Sequence, residues 1–487
     1  MITTGIRGVN SLSRDQSCSH FCRLVGRKVR HQSMASKVSR NAFRALKGRL
    51  YSAQAAQQES HAGVSLPKQS PQVTKLPNGL IVASLENYSP IARVSVVANA
   101  GSRFENEENS GVTHCLRKLS GLSTNEASAF GITRQIQQIG GNISCASSRE
   151  YMFYNVECIR DSIDTGVEIL EDITTCPAFK PWEVSDAKPG LDLDLATLTE
   201  QPNVLLYELL HKVAYGDTLG QSLYAPNYAV GGLNPEQLMS YVRQHYTAGR
   251  MGLIGLGIEH NHLVSLGEKF KLFPSSGVRV EKAHYRGGEI RQGTNSNLSY
   301  AAIVTEGPSC ADKDMLAASI LQMVMGTGPL VKYGSNSSSK LGQAIAKATS
   351  QPFAVSSINA NYTDSGLFGF YAVGQPSEIG KIMKAGTQHF ASVTKSGITD
   401  KDVAVGKNQL KAVIAMAHEN GDAHLTDMAE QVMGNEQITS LEELNKLIDA
   451  VTAADVSTAA KKIFNGKPSM AATGNLSHMP YLDQILK

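Results

Sequence analysis

The stretch G111-V-T-H-C-L-R-K-L-S-G121 has the outline of a metal-binding helix with the wrong residues in it. In an inverted zinc-hydrolase motif, His-x-x-Glu-His, two imidazoles on one helix face ligate the ion. The Glu between them activates water, and a distant carboxylate completes the site. Here His114 is followed by Arg117 and Lys118 at the places of the base and the second ligand. A guanidinium has no lone pair to give and stays protonated, so Arg117 serves as neither ligand nor base. Lys118 could ligate only after losing its proton. A divalent ion would also face two cations, and one unit-charge pair at ~4 Å costs ~4 kcal/mol at an effective dielectric of ~20. One histidine does not hold zinc against that, so neither a metal nor a catalytic residue is expected on this helix.

The chain around it has 487 residues, room for two to four domains at roughly 150 residues each. A hydrophobic share of 41% with 18% charged residues is that of a globular protein. No apolar run reaches the ~18 residues a membrane helix needs, and the longest, M251-G-L-I-G-L-G-I258, is the size of a strand. Any attachment to a membrane is therefore expected to pass through partners.

The net charge of +3 conceals two populations. Residues 1–51 hold eleven Lys and Arg against one acid, Asp15, which leaves 35 basic and 42 acidic residues in the remainder. A basic, Ser-containing, nearly acid-free N-terminus is the composition of a mitochondrial transit peptide. A disordered tail for nucleic acid is the other reading of such a segment; the transit peptide is the one adopted, with no nucleic-acid partner. G48-R-L-Y-S-A53 has the look of a processing site, with Arg49 three residues before a cut between Tyr51 and Ser52. Five cysteines follow residue 51, an odd number with no CxxC pair, so reduced thiols are expected in place of a disulfide framework.

Residues 52–72 read as a flexible arm, and order is expected from T74-K-L-P-N-G-L-I-V-A-S84, where Asn78-Gly79 makes a turn between short β-prone runs. I91-A-R-V-S-V-V-A98 alternates as a strand does. Helices are predicted from near Glu107 to Leu119, over 125–138 up to the Gly140-Gly141 stop, and over 161–174, with a hairpin at 142–157. The same order of elements returns some 210–220 residues later. A helical run, M315-L-A-A-S-I-L-Q-M-V-M325, closes at Gly328, a strand-like stretch covers 358–373, and a helix starts near Glu378. Met251 and Met470, each opening a strand after a helix, are 219 residues apart. The expected fold class is α+β: two homologous halves, 73–272 and 285–487, each a mainly antiparallel sheet packed with helices, joined by a linker at 273–284.

The passages N78-G-L-I-V82, A100-G-S-R-F-E105, the His114 helix and Y207-E-L-L-H-K-V-A-Y215 resemble the pitrilysin-type zinc peptidases, which include the mitochondrial processing peptidase. In that alignment His114 matches the first ligand, Arg117 replaces the base, and Lys118 replaces the second His. Asp194, 76 residues beyond Lys118, replaces the distal Glu. The passages L80-I-V-A-S-L-E-N-Y88, Y285-R-G-G-E-I-R291, D364-S-G-L-F-G-F-Y371, K407-N-Q-L-K-A412 and S469-M-A-A-T-G474 resemble a non-catalytic branch more closely: the core proteins of mitochondrial ubiquinol–cytochrome c reductase. That resemblance implies a scaffold and assembly subunit on the matrix side of the inner membrane, paired with a sister core protein. Cytochrome b, cytochrome c1 and the iron–sulfur protein would be its neighbours, and it would carry no haem, iron–sulfur centre, quinone site or other cofactor of its own. A regulatory, non-catalytic subunit of the processing peptidase and an active metalloendopeptidase are the alternatives. The charge changes at Arg117 and Lys118 in the old metal position further suggest that Asp194 pairs with one of them, a cation replacing the ion.

The remaining motifs read as structural. G326-T-G-P-L-V-K-Y-G-S-N-S-S-S-K340 lacks the phosphate-loop signature, since Lys332 precedes Tyr333 and no hydroxyl residue. Glu259-His260-Asn261-His262 reads as an exposed turn, and His211, His245 and His284 as scattered packing or surface residues. Asp192 and Asp194, two apart on a helix, point to different faces. Trp182 is expected to anchor packing at the start of a helix.

Overall fold

The computed structural model describes residues 69–274, 278, 280–328 and 339–486. The leader 1–51 with its Tyr51–Ser52 junction, most of the arm and linker residues 275–277 and 279 lie outside the described residues, as does 329–338 with Lys332 and Tyr333.

The first half runs β1 (Gln72–Lys75), β2 (Ile81–Leu85), β3 (Ile91–Ala98), α1 (Val112–Leu119), α2 (Ala129–Gln138), β4 (Asn142–Ser147), β5 (Met152–Ile159) and α3 (Ile163–Thr175). It continues through α4 (Pro181–Glu200), α5 (Pro202–Tyr215), α6 (Pro235–His245), β6 (Met251–Leu256) and α7 (His260–Gly267). The second half runs β7 (Gly288–Gly293), β8 (Ser299–Gly307), α8 (Met315–Met325), α9 (Lys340–Ala346), β9 (Phe353–Asn361) and β10 (Gly366–Gly374). It ends with α10 (Ile379–Ser396), α11 (Asp400–Glu419), α12 (Gly421–Asn435), α13 (Leu441–Ala450), α14 (Ala453–Phe464), β11 (Ser469–Gly474) and α15 (Leu482–Leu486).

The first sheet has the order β1-β2-β6-β3-β5-β4 and the second β7-β11-β8-β10-β9. Strip β1 from the first and the two orders correspond strand for strand. Each sheet has one parallel pair, β2 with β6 and β7 with β11, and is antiparallel elsewhere. The α+β fold of two like halves is thus as the sequence repeat predicts.

Strand alternation explains how each sheet is covered. Along β3, Ala92, Val94, Val96 and Ala98 point to one face and pack with Val112, Leu116, Val167 and Leu170 of the first half's own helices. Val97 points to the other face, where Ile81, Ala83, Phe153, Ile254 and Leu256 meet Leu425, Met428, Ala429 and Val432 of α12. The second sheet mirrors this: Ala302, Val304, Ile358, Leu367 and Ala471 are covered by Leu205, Leu206, Leu209, Leu210, Ala214 and Tyr215 of α5. Each half therefore lends one helix to the other half's sheet. A division of the sequence at the linker cuts across both exchanged contacts.

Several boundaries differ from the sequence expectation. Helix α1 starts at Val112, not near Glu107, because Asn106 and Asn109 take up one another's backbone amides and Gly111 turns left-handed at φ 87°. Helix α2 starts at Ala129, capped by the Ser128 hydroxyl on the Gly131 amide. Helix α8 ends at Met325 with Gly326 at φ 112° as its cap, ahead of Gly328. Residues 259–262 are not a turn: His260 opens α7, with Nε2 on Thr74 and Nδ1 on Ser84. Trp182 is 62% exposed, under the Lys180 ammonium, and anchors no core. The first strand begins at Gln72, inside the expected arm. All five described cysteines are unpaired.

Leu210 is fully buried in α5, a first-half helix, against the second sheet. Leu210→Ala should cost about 2–5 kcal/mol, and its signature in hydrogen exchange should be faster amides in β8 and β11 with β3 and β5 still protected. Loosening of the first sheet instead would contradict the exchange of helices.

Candidate functional site

The helix carrying His114 is held from its start by a buried carboxylate. Glu105 accepts the amides of Gly111 at 2.7 Å and Thr113 at 2.8 Å, and the Thr113 hydroxyl at 2.5 Å. Burial outweighs these hydrogen bonds and pushes its pKa up to about 7. At Gly111 a Cβ would come within 2.8 Å of the Ala225 Cα, so α1 begins pressed against that loop. Val112, Cys115, Leu116 and Leu119 face inward, which leaves His114, Arg117 and Lys118 (i, i+3, i+4) on one remaining stripe.

Helix α4 packs across this stripe and delivers Asp194. Its Oδ1 accepts from Lys118 Nζ at 2.8 Å, its Oδ2 accepts from His114 Nε2 at 3.0 Å, and Arg117 Nη2 lies 3.9 Å from the same oxygen. All four positions singled out in the sequence converge. The Arg117 guanidinium also donates to Ser147 Oγ at 3.0 Å and sits 5.5 Å over the Tyr224 ring, whose edge meets the His114 ring.

The protonation state of His114 follows from its neighbours. The Ala225 amide donates into Nδ1 at 3.1 Å, so that nitrogen carries the lone pair and Nε2 carries the proton given to Asp194. Burial lowers the pKa of His114 to about 4; Arg117 and Lys118 push the same way, against Asp194. The ring is neutral near pH 7. Burial alone would raise Asp194, but its hydrogen bonds from Lys118 and His114 prevail and hold it below the ordinary carboxylate value. Two cations, one carboxylate and a neutral imidazole leave one net positive charge where a divalent ion would sit in an intact motif.

This donor set does not fit zinc. The free lone pair of His114 is engaged by the backbone, Arg117 offers none, Lys118 is an ammonium on a carboxylate, and only Asp194 remains. Structural and catalytic zinc require three or four N, S or O donors. Among the described residues no group of three or more His, Cys, Asp or Glu could hold a metal ion. No side chain here stands as a base for water.

The other residues noted in the sequence stay apart from this cluster. Asp192 is exposed while Asp194 is half-buried. His262 pairs with Asp164 at 2.7 Å, away from His260. His211 is buried between the Tyr207 carbonyl and the Tyr362 hydroxyl, and His245 packs on Phe104 and Tyr241. Sequence reasoning missed Glu105, Ser147, Tyr224 and Ala225. Glu105 lay within a quoted motif, A100–E105, but without an assigned role. Tyr224 and Ala225 sit in a loop between α5 and α6 that has no periodicity to place it.

Comparison with known proteins points one way. Residues 81–227 match the insulinase family, peptidase family M16, and residues 232–410 match the M16 inactive domain. The chain is 42% identical over 425 residues to cytochrome b-c1 complex subunit 2, mitochondrial, of Homo sapiens, covering 87% of this chain and 94% of that one. Its likeness to the Rattus norvegicus protein of the same name is 42% over 424 residues, with the same coverage. The mitochondrial-processing peptidase subunit alpha of Homo sapiens is 30% identical over 441 residues, 85% of this chain and 84% of that one.

Two outcomes follow from the geometry. The double change Arg117→Glu with Lys118→His restores a base and a second imidazole beside His114 and Asp194, so equilibrium dialysis should find stoichiometric zinc on that variant and none on the parent chain; zinc on the parent would refute the site's assignment. The second concerns acid. His114 and His245 have pKa values lowered to about 4, against about 6.5 unfolded, so the unfolded chain binds more protons between those values. The stability they contribute is complete above pH 6.5 and is lost as pH falls towards 4. Glu105, raised to about 7, works in the opposite direction and offsets part of it. Thermal midpoints should therefore fall from pH 7 to 4.5, less steeply in His114→Gln.

Proposed function

The chain belongs to the M16 peptidase family, and we infer that it works without catalysis, as a structural core subunit of the mitochondrial cytochrome b-c1 complex. The observation that carries this is Asp194 paired with Lys118 and His114 at the position of the metal: the fold of a peptidase is kept and the means of hydrolysis are absent. Identity supports the same choice, at 42% to subunit 2 of that complex against 28–30% to processing-peptidase alpha subunits. The subunit takes part in respiratory electron transport by holding its complex together, with no redox centre of its own.

The finer placement is as follows. Residues 1–51 direct the chain into mitochondria and are removed between Tyr51 and Ser52. The mature protein lies on the matrix side of the inner membrane, beside sister core protein 1, and reaches cytochrome b, cytochrome c1 and the iron–sulfur protein as neighbours. Among the described residues no helix is long and apolar enough to cross a membrane, which fits attachment through those subunits. The rival reading, a regulatory subunit of the processing peptidase, draws on the lower-identity relatives alone.

Native gel separation of mildly solubilised mitochondrial membranes, with mass spectrometry of the band holding this chain, distinguishes the two. It should migrate with cytochromes b and c1; migration with a soluble peptidase partner would overturn the assignment.

A further inference from the structure

Arg103 sits where four segments of the chain meet. Its side chain is 2% exposed. Nη1 donates to Glu150 Oε1 at 2.8 Å and to Asp364 Oδ1 at 2.9 Å; Nη2 donates to the Glu281 carbonyl at 2.6 Å and pairs with the second oxygen of Asp364. Glu150 lies in the β4–β5 turn of the first half, Asp364 in the β9–β10 turn of the second, and Glu281 in the connection between the halves.

The acceptors are tied in turn. Asp364 takes the Ala283 amide at 2.8 Å, so the connection is gripped on both sides of Lys282. Glu150 takes the Thr363 amide at 3.1 Å and its hydroxyl at 2.5 Å, joining the two turns directly. The adjacent Arg149 donates to Glu208 of α5 at 2.7 Å, the helix that covers the second sheet. Close approach of the segment bearing Arg103 depends on Gly101, where a Cβ would stand 2.6 Å from the Glu150 carbonyl carbon.

Apolar contacts such as those of α5 and α12 are non-directional and tolerate sliding. A buried guanidinium with a fixed fork of donors does not, because displacement leaves desolvated charges unpaired. We propose that Arg103 is a conformational lock, fixing the inter-half connection and both halves in one arrangement so that the chain presents a single rigid surface to its neighbours. Without the lock, the connection and the two turns open together while both sheets remain folded.

Hydrogen exchange on the assembled complex tests this, with Arg103→Gln and the milder Asp364→Asn. Amides at 280–284 and 361–365 should exchange at least about tenfold faster in Arg103→Gln, and by a smaller factor in Asp364→Asn, with β3 and β8 as protected as in the parent. Unchanged exchange at 280–284 in either variant would overturn the lock, as would loss of protection in β3 and β8 that keeps pace with it. Should Arg103→Gln fail to assemble, Asp364→Asn, which keeps the side-chain shape and an oxygen for the Ala283 amide, decides alone.

Discussion

A β-sheet with apolar side chains on both faces has to be covered twice, and here the second cover comes from the other half of the chain. Val97, Ile254 and Leu256 are buried by α12, and Val304, Ile358 and Ala471 by α5. Neither half is complete alone. The repeat in the sequence is therefore a repeat of elements, not of independent folding units, and the reciprocal loan of a helix makes one body out of two copies of a plan. Polar ties between α5 and the β9–β10 turn, Tyr215 with Ser365 and His211 with Tyr362, then fix the register of a contact that hydrophobic burial by itself leaves loosely specified.

The same separation of tasks explains how a peptidase fold outlives its chemistry. What α1 owes the fold is its inward stripe of Val112, Cys115, Leu116 and Leu119 and the Glu105 cap at its start. His114, Arg117 and Lys118 lie off that stripe. A change from lone-pair donors to cations needs only a local answer, and Asp194 supplies it: one carboxylate receives an ammonium, an imidazole N–H and the edge of a guanidinium's field. The energy of such partly exposed pairs is modest. The result is a cluster that is electrostatically settled and catalytically inert.

Much of this was legible in the sequence because it rests on local rules. Periodicity found most strands of the first half but not β7 or β8 of the second; the Met251 and Met470 strands fell at the same place in the two sheets, and residue chemistry alone ruled out Arg117 as ligand or base. Helix starts were less legible, since Asn106, Asn109 and Ser128 capture amides in ways that shift a boundary by several residues. The loan of α5 and α12 was not legible at all: an amphipathic helix shows that it has an apolar face, not whose sheet that face meets. Nor was the tautomer of His114, which depends on a loop amide 111 residues away. Trp182 was misjudged because size suggests burial, whereas α4 is anchored mainly by Val184 and Leu191 and carries its indole on the outside.

The loaned helix α12 has a temporal side. A polypeptide that enters its compartment amino end first delivers β2, β3 and β6 long before residues 425–432, the ones that sheathe them. Throughout that interval Ile81, Val97, Phe153 and Ile254 lack the helix that buries them in the folded chain. An apolar face of this kind invites self-association for as long as it is uncovered, and its cover lies within the last 67 residues of the chain. Truncation anywhere before α12 would freeze it in that sticky juvenile state.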